Sequence, residues 1–187
     1  MLDENGAAAK ETPSSWAVND VNTAVAAGIV PEALQSMYTA PTTRAEFCAL
    51  ATALYETKLG EIGQRSTFTD TTDEQVEKMA ALGVVNGVGN GKFNPDGNLT
   101  REQAATMLAR LAAVMGKPIE TYDTTFADSS SISSWAADAV GQMQTSGIMN
   151  GMGNNIFSPR TEYSREQSII TMLRMMRYVD TQQPALQ

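Results

Sequence analysis

The chain has 187 residues, of which 42% are hydrophobic, 6% aromatic and 18% charged. That is long and apolar enough for one domain with a core, and too apolar for a disordered chain. A formal net charge of −8 with no Lys/Arg run excludes nucleic acid as a partner and repels anionic membranes, so an anionic ligand would need local cationic pockets.

The chain contains no histidine, and Cys48 is its single cysteine. Catalytic triads, an internal disulfide and most transition-metal sites are thereby excluded, and no metal or cofactor is expected. Cys48 lies in an apolar helical run and is expected to be a small buried hydrophobe. No segment approaches the roughly 20 apolar residues of a membrane span. Met1 to Glu11 shows neither the basic nor the apolar region of a leader and reads as a linker.

The first predicted element is a helix ending at Gly28. Its counterparts end at Gly83 and Gly147, and glycine at that point suits a left-handed C-cap. Counting back from the glycine, Val21, Val76 and Val140 share a position, as do Ala24, Met79 and Met143, which marks one buried face. Ile29, Val84 and Ile148 follow the glycine as its hydrophobic contact. Trp16-Ala17 and Trp135-Ala136 open this helix in units one and three, and Thr71 stands there in unit two. Phe68-Thr69-Asp70 and Phe126-Ala127-Asp128 lead into units two and three, the latter followed by a polar insertion, Ser129 to Ser134.

The loop comes next. Unit two reads Asn86-Gly87-Val88-Gly89-Asn90-Gly91-Lys92-Phe93-Asn94-Pro95, and unit three reads Asn150-Gly151-Met152-Gly153-Asn154-Asn155-Ile156-Phe157-Ser158-Pro159. Gly and Asn permit positive φ and close backbone approach, and the phenylalanine pins the loop to the core. Unit one, from Val30 to Thr42, has no glycine, and Tyr38 is its nearest aromatic.

A second helix then starts at Thr43-Arg44, Thr100-Arg101 and Ser164-Arg165, with arginines 57 and 64 residues apart. Glu46, Gln103 and Gln167 complete a capping box in each unit. The apolar stripes behind them are Cys48, Ala51, Tyr55; Ala105, Leu108, Ala112; and Ile169, Met172, Met176. One such pair buries little, whereas three copies can pool their stripes into one core.

A cation at the first helical position opposes the helix dipole by about 0.3–1 kcal/mol. One arginine there reads as solvated or ion-paired; three at one position suggest an anion site. Free N–H groups at a helix start favour an anion, and the guanidinium fork suits carboxylate or phosphate. The Gly/Asn loops add backbone donors. Trp16 and Trp135 fit either core packing or a platform for the apolar face of a sugar.

Taken together, these residues resemble the S-layer homology (SLH) family, over about residues 14 to 180. Thr43-Arg44-Ala45-Glu46 matches its helix-opening motif, and Thr100-Arg101-Glu102-Gln103 and Ser164-Arg165-Glu166-Gln167 are close variants. The resemblance implies an all-α, pseudo-threefold bundle of three helix–loop–helix repeats. The expected organisation is a linker over 1–13, repeats over 14–60, 66–116 and 124–180, and a tail over 181–187. It further implies a non-catalytic extracellular module that tethers surface proteins, including S-layer proteins or a cargo domain, to the bacterial cell wall. The partner would be a secondary cell-wall polysaccharide bearing a pyruvate-ketal sugar. By that resemblance Arg44, Arg101 and Arg165 hold the carboxylate, and Asn86, Gly87, Asn150 and Gly151 present backbone groups to the sugar. Because the loop of unit one lacks glycine, contact is expected to rest more on Arg101 and Arg165 than on Arg44.

Two other readings compete. A calcium loop starting at Asn86 would place Val88 and Gly97 at ligand positions, where neither offers a side-chain oxygen. A helical protein–protein or surface-assembly module would use exposed methionines such as Met149 and Met152 as adaptable contacts. An enzyme would need a catalytic set, and no paired carboxylates repeat at a pocket-like position.

Overall fold

The computed structural model describes residues 11–181, so the expectations for the outermost linker and tail residues fall outside it. The described residues form six helices and no extended strand, an all-α architecture. The helices are α1 (Val18–Ala26), α2 (Arg44–Leu59), α3 (Glu74–Ala81), α4 (Arg101–Val114), α5 (Ala137–Ser146) and α6 (Arg165–Thr181). Short 3-10 turns at Glu32–Leu34 and Ser129–Ser131 interrupt the connections, the second lying within the polar insertion.

Local signals account for the helix ends. Gly28, Gly83 and Gly147 all have φ between 71° and 75°, the left-handed conformation expected of C-caps. Ile29, Val84 and Ile148 behind them are fully buried. Reciprocal capping boxes close α2 and α4. At α6 the same pair of bonds joins Ser164 and Gln167, with each backbone N–H donating to the other's side chain. Of the predicted stripes, Tyr55 and Met176 are half-buried, and the other members are buried.

The helices pair differently from their order in the chain. The first helix of each unit packs on the second helix of the preceding unit: α3 on α2, α5 on α4, and α1 on α6. The last pairing closes a ring, because the first unit takes the place after the third. Inside it, α6 also packs against α2 and α4. At the centre the segments before the second helices exchange backbone hydrogen bonds in a cycle. Thr42 N–H donates to Tyr163 O at 2.7 Å, Tyr163 N–H to Leu99 O at 2.9 Å, and Leu99 N–H to Thr42 O at 3.0 Å. Thr42 and Leu99 are fully buried and Tyr163 nearly so, which makes these bonds hard to replace with water.

Cys48 is fully buried in this core, as expected, and burial pushes its thiol pKa far up, so it stays protonated and inert. Met149 is also buried, contrary to the expectation of an exposed contact, because it lies directly behind the capped end of α5.

Gly141 sits inside α5, where helix propensity alone favours alanine by about 1 kcal/mol. The structure reverses that sign. A Cβ at Gly141 would lie 1.9 Å from the carbonyl oxygen of Tyr122. Backbone cannot move aside as a flexible side chain could. Gly141→Ala is expected to destabilise the protein by about 2 kcal/mol or more, measured by urea denaturation.

Candidate functional site

Every second helix begins by docking onto the loop of the next unit in the ring. Arg44 and Ala45 N–H donate to Gly97 and Pro95 carbonyls, Arg101 and Glu102 N–H to Thr161 and Pro159, and Arg165 and Glu166 N–H to Ala40 and Tyr38. The first two N–H groups of each helix start are therefore occupied by carbonyls of the next unit, and the third by the cap hydroxyl.

The arginine side chains follow the same rule. Arg44 donates from Nε to Phe93 O at 2.9 Å and from Nη2 to Asn86 O at 2.7 Å. Arg101 donates from Nε to Phe157 O at 2.7 Å and from Nη2 to Asn150 O at 2.6 Å. Each guanidinium also covers the ring of that phenylalanine, 4.4 Å and 4.8 Å from the centroid. Hydrogen bonds to a charged group contribute about 1.5–3 kcal/mol each, so two of them outweigh the dipole penalty at the first helical position. The arginines are thus structural clamps between units. The Asn86 and Asn150 carbonyls, expected to face a sugar, are their acceptors.

The loop they grip is held from behind. Asp70 accepts from Phe93 N–H and Asn94 N–H, both at 2.8 Å. Asp128 accepts from Phe157 N–H and Ser158 N–H at the same distance. Phe68 packs on Phe93 and Phe126 on Phe157 with centroids 5.2 Å and 5.3 Å apart. Gly87 and Gly151 serve this packing. A Cβ at Gly87 would come within 2.7 Å of Lys92 O, and one at Gly151 within 2.8 Å of Ile156 O.

Two grooves remain open above the clamps, and they match position by position. In the first, of about 200 Å³, Arg44 and the loop residues Asn86, Gly87 and Val88 meet Gln103 and Arg110 of α4, with Trp135 from unit three. In the second, of about 260 Å³, Arg101 and Asn150, Gly151 and Met152 meet Gln167 and Arg174 of α6, with Trp16 from unit one. Trp16 and Trp135 are 61% and 57% exposed, so they line the grooves and do not belong to the core. Val88 and Met152 are the exposed apolar residues on the loop side.

Arg110 and Arg174 are cations that sequence reading passed over. Both stand nine residues past a helix-start arginine, and unit one has Ala53 there. The repeat register contained that signal. Arg174 Nη1 reaches Ile148 O at 3.5 Å, and Arg110 lies 3.2 Å from the Asn86 side-chain oxygen once that amide is turned to satisfy its neighbours. Among the described residues, none of Arg44, Arg101, Arg110 and Arg174 forms an ion pair. Burial lowers the pKa of Arg44 and Arg101, the nearby Asp70 and Asp128 respectively opposing it, but a guanidinium remains charged at neutral pH. In a chain of net charge −8, each groove therefore holds two guanidinium groups without a direct ion-pair partner.

The third position around the ring is different. Arg165 donates from Nη1 to Ser36 O at 2.6 Å, and its Nη2 pairs with the carboxylate of Glu46. Its buried Nε has no partner, because unit one has no loop phenylalanine carbonyl there. Thr71 and Ala53 occupy the places of the tryptophan and the second arginine. Arg44 faces the glycine-rich loop of unit two, while Arg165 faces the loop without glycine. Among the described residues no cluster of His, Cys, Asp and Glu could hold a metal ion, and no helix is long and apolar enough to cross a membrane.

Comparison with known proteins matches residues 68–105 and 125–167 to the S-layer homology domain model. These segments belong to the S-layer homology family. They contain the loops and the helix starts of units two and three, and the match leaves the first unit outside. The chain is 36% identical over 99 residues to an endoglucanase of Bacillus sp. (strain KSM-635), covering 51% of the chain and 10% of that protein. It is 31% identical over 132 residues to an amylopullulanase of Thermoanaerobacterium thermosulfurigenes, covering 67% of the chain and 7% of that protein. A surface layer protein of Brevibacillus choshinensis is 28% identical over 107 residues, covering 57% of the chain and 10% of that protein. The chain thus spans about a tenth or less of each of these relatives, so the likeness to the two enzymes lies in a small SLH-bearing part of each.

Two outcomes follow from the loop architecture. Gly87→Ala and Gly151→Ala are each expected to cost about 1–3 kcal/mol by chemical denaturation, and to raise hydrogen exchange locally in the affected loop. The second concerns acid. The Phe93 N–H bond, followed by that from Asn94, holds Asp70 below the usual carboxylate range. For Asp128 burial works upward, but the bonds from Phe157 and Ser158 and the Arg101 charge win, and its pKa is lowered as well. Depressed carboxylates stabilise the fold above their unfolded pKa and lose that contribution as pH falls through the folded value. Stability should therefore drop below about pH 4, and Asp70→Asn/Asp128→Asn should flatten that part of the urea-midpoint profile.

Proposed function

We propose that this chain is a non-catalytic anchoring module that holds a parent protein on the bacterial cell wall by binding an anionic wall polysaccharide in two of its three inter-unit positions. The observation that carries this reading is the pair of arginines without an ion-pair partner beside an exposed tryptophan in each groove. Arg44 with Arg110, and Arg101 with Arg174, supply the charge for a carboxylate. Trp135 and Trp16 supply the flat face on which a sugar ring stacks. A pyruvate-ketal sugar, which the family resemblance implies, joins both features in one residue. Each groove has room for about one sugar ring, so selectivity rests on the ketal-bearing unit and not on a long stretch of polymer.

Residues 14–60 are on this reading a divergent third copy. They complete the ring and contribute Arg44 and Trp16 to the two working grooves, while their own loop position is closed by the Arg165–Glu46 pair. The module acts outside the cell, and the partners are the wall polymer and the cargo or S-layer protein to which the module belongs.

Co-sedimentation with purified sacculi tests the proposal. Binding is expected to disappear when pyruvate ketals are removed by mild acid. Arg110→Ala and Arg174→Ala should each weaken it, and the double variant should lose most of it, roughly tenfold or more. Lys58→Ala, a change away from both grooves, should bind as the parent does. Undiminished binding by the folded double variant would exclude the carboxylate mechanism.

A further inference from the structure

Both groove tryptophans reach their places from a neighbouring unit, and both are preceded two residues earlier by a serine tied to a buried carboxylate. Ser133 N–H and Oγ donate to the two oxygens of Glu102 at 2.9 Å and 3.0 Å. Ser14 N–H and Oγ donate to those of Glu166 at 2.9 Å and 2.8 Å. Glu102 and Glu166 are 5% and 3% exposed and follow the clamp arginine directly. The serine carbonyl in turn starts the turn that carries the tryptophan, accepting from Ala136 N–H in one case and from Ala17 N–H in the other. Ala17 and Ala136 are fully buried, so each turn is pinned on both sides of an exposed indole.

The third junction serves as an internal control. There Ala45 replaces the glutamate, Thr69 the serine and Thr71 the tryptophan, yet α3 still packs on α2. The units dock without the carboxylate, and it is present at the two junctions that carry a tryptophan. We infer that Glu102 and Glu166 are positioning residues that fix Trp135 and Trp16 over the grooves through Ser133 and Ser14. This rests on the proposed role of the grooves for its effect on binding, but not for its effect on the indole. A bond pair from a charged acceptor to backbone and hydroxyl at once restricts the turn more than one contact would, so that the platform is formed before a ligand arrives.

Trp16 fluorescence in a Trp135→Phe background reads the clamp without any ligand. Glu166→Ala is expected to lower the anisotropy of Trp16 and to increase its quenching by acrylamide. Glu166→Gln, which keeps an acceptor oxygen for the serine N–H, should restore most of both, and Ser14→Ala should fall between. Glu102→Ala in a Trp16→Phe background should do the same to Trp135. Anisotropy unchanged by Glu166→Ala would overturn the inference, and should that variant not fold, Ser14→Ala decides in its place.

Binding to sacculi of a Gram-positive bacterium whose wall polymer carries pyruvate ketals adds a second readout. Glu166→Ala should weaken it roughly tenfold in the parent and should have no further effect on Trp16→Ala, because the carboxylate acts through the indole. Additive losses would mark Glu166 as merely structural and overturn the inference. If Trp16→Ala leaves binding intact, it is the groove reading that falls, and the anisotropy measurement still decides the clamp.

Discussion

Around the axis of this protein, Thr42, Leu99 and Tyr163 pass hydrogen bonds to one another in a closed triangle. Each of these residues immediately precedes a helix cap, so the triangle fixes where all three second helices begin. From those starts the arginines reach sideways into the next unit. A linear array of repeats would leave one arginine and one loop without a partner at its ends. Here the third unit docks on the first, and no terminal capping repeat is needed. Because neighbours supply the contacts, no single unit holds its own loop in shape.

The same geometry explains why the grooves are composite. Each of the two brings together an arginine from one unit, a loop and second helix from the next, and a tryptophan from the unit after that. A change in one unit is therefore felt at a groove named for another. Unit one illustrates this. Beside its short loop the position is filled by the Arg165–Glu46 pair, while its arginine and tryptophan line the other two. Glu46 in unit one and Gln103 and Gln167 elsewhere occupy the same capping-box position, but the acid neutralises a neighbouring arginine and the amides do not. One functional group at a cap position thus changes the charge of a site in another repeat.

The helix-start arginine has a structural job that sequence alone does not display. Its Nε and Nη2 are committed to the Phe and Asn carbonyls of the neighbouring loop, which accounts for its presence against the helix dipole. On the proposed reading, what it offers a ligand is its charge and the outer edge of its fork. The second arginine, on the exposed side of α4 or α6, carries fewer internal bonds and more freedom to meet an anion.

The elements that depend on neighbours in the chain were legible from the sequence by itself. The glycine C-caps, the capping boxes, the buried valine and methionine positions and the loop phenylalanines all act within a few residues of one another, and the repeat register displayed them. The individual helices followed from the same periodicity, and the all-α class from the resemblance to the SLH family. What only the tertiary structure decided was which unit meets which. The repeat spacing says that Arg44 precedes a helix of unit one, but nothing local says that it faces the loop of unit two, or that Arg165 returns to unit one. The exposure of Trp16 and Trp135, the unpaired charge of Arg110 and Arg174, and the collision awaiting a side chain at Gly141 are likewise contacts between distant segments. They depend on the closure of the ring, a property of how helix faces of different units fit together, which no local pattern specifies.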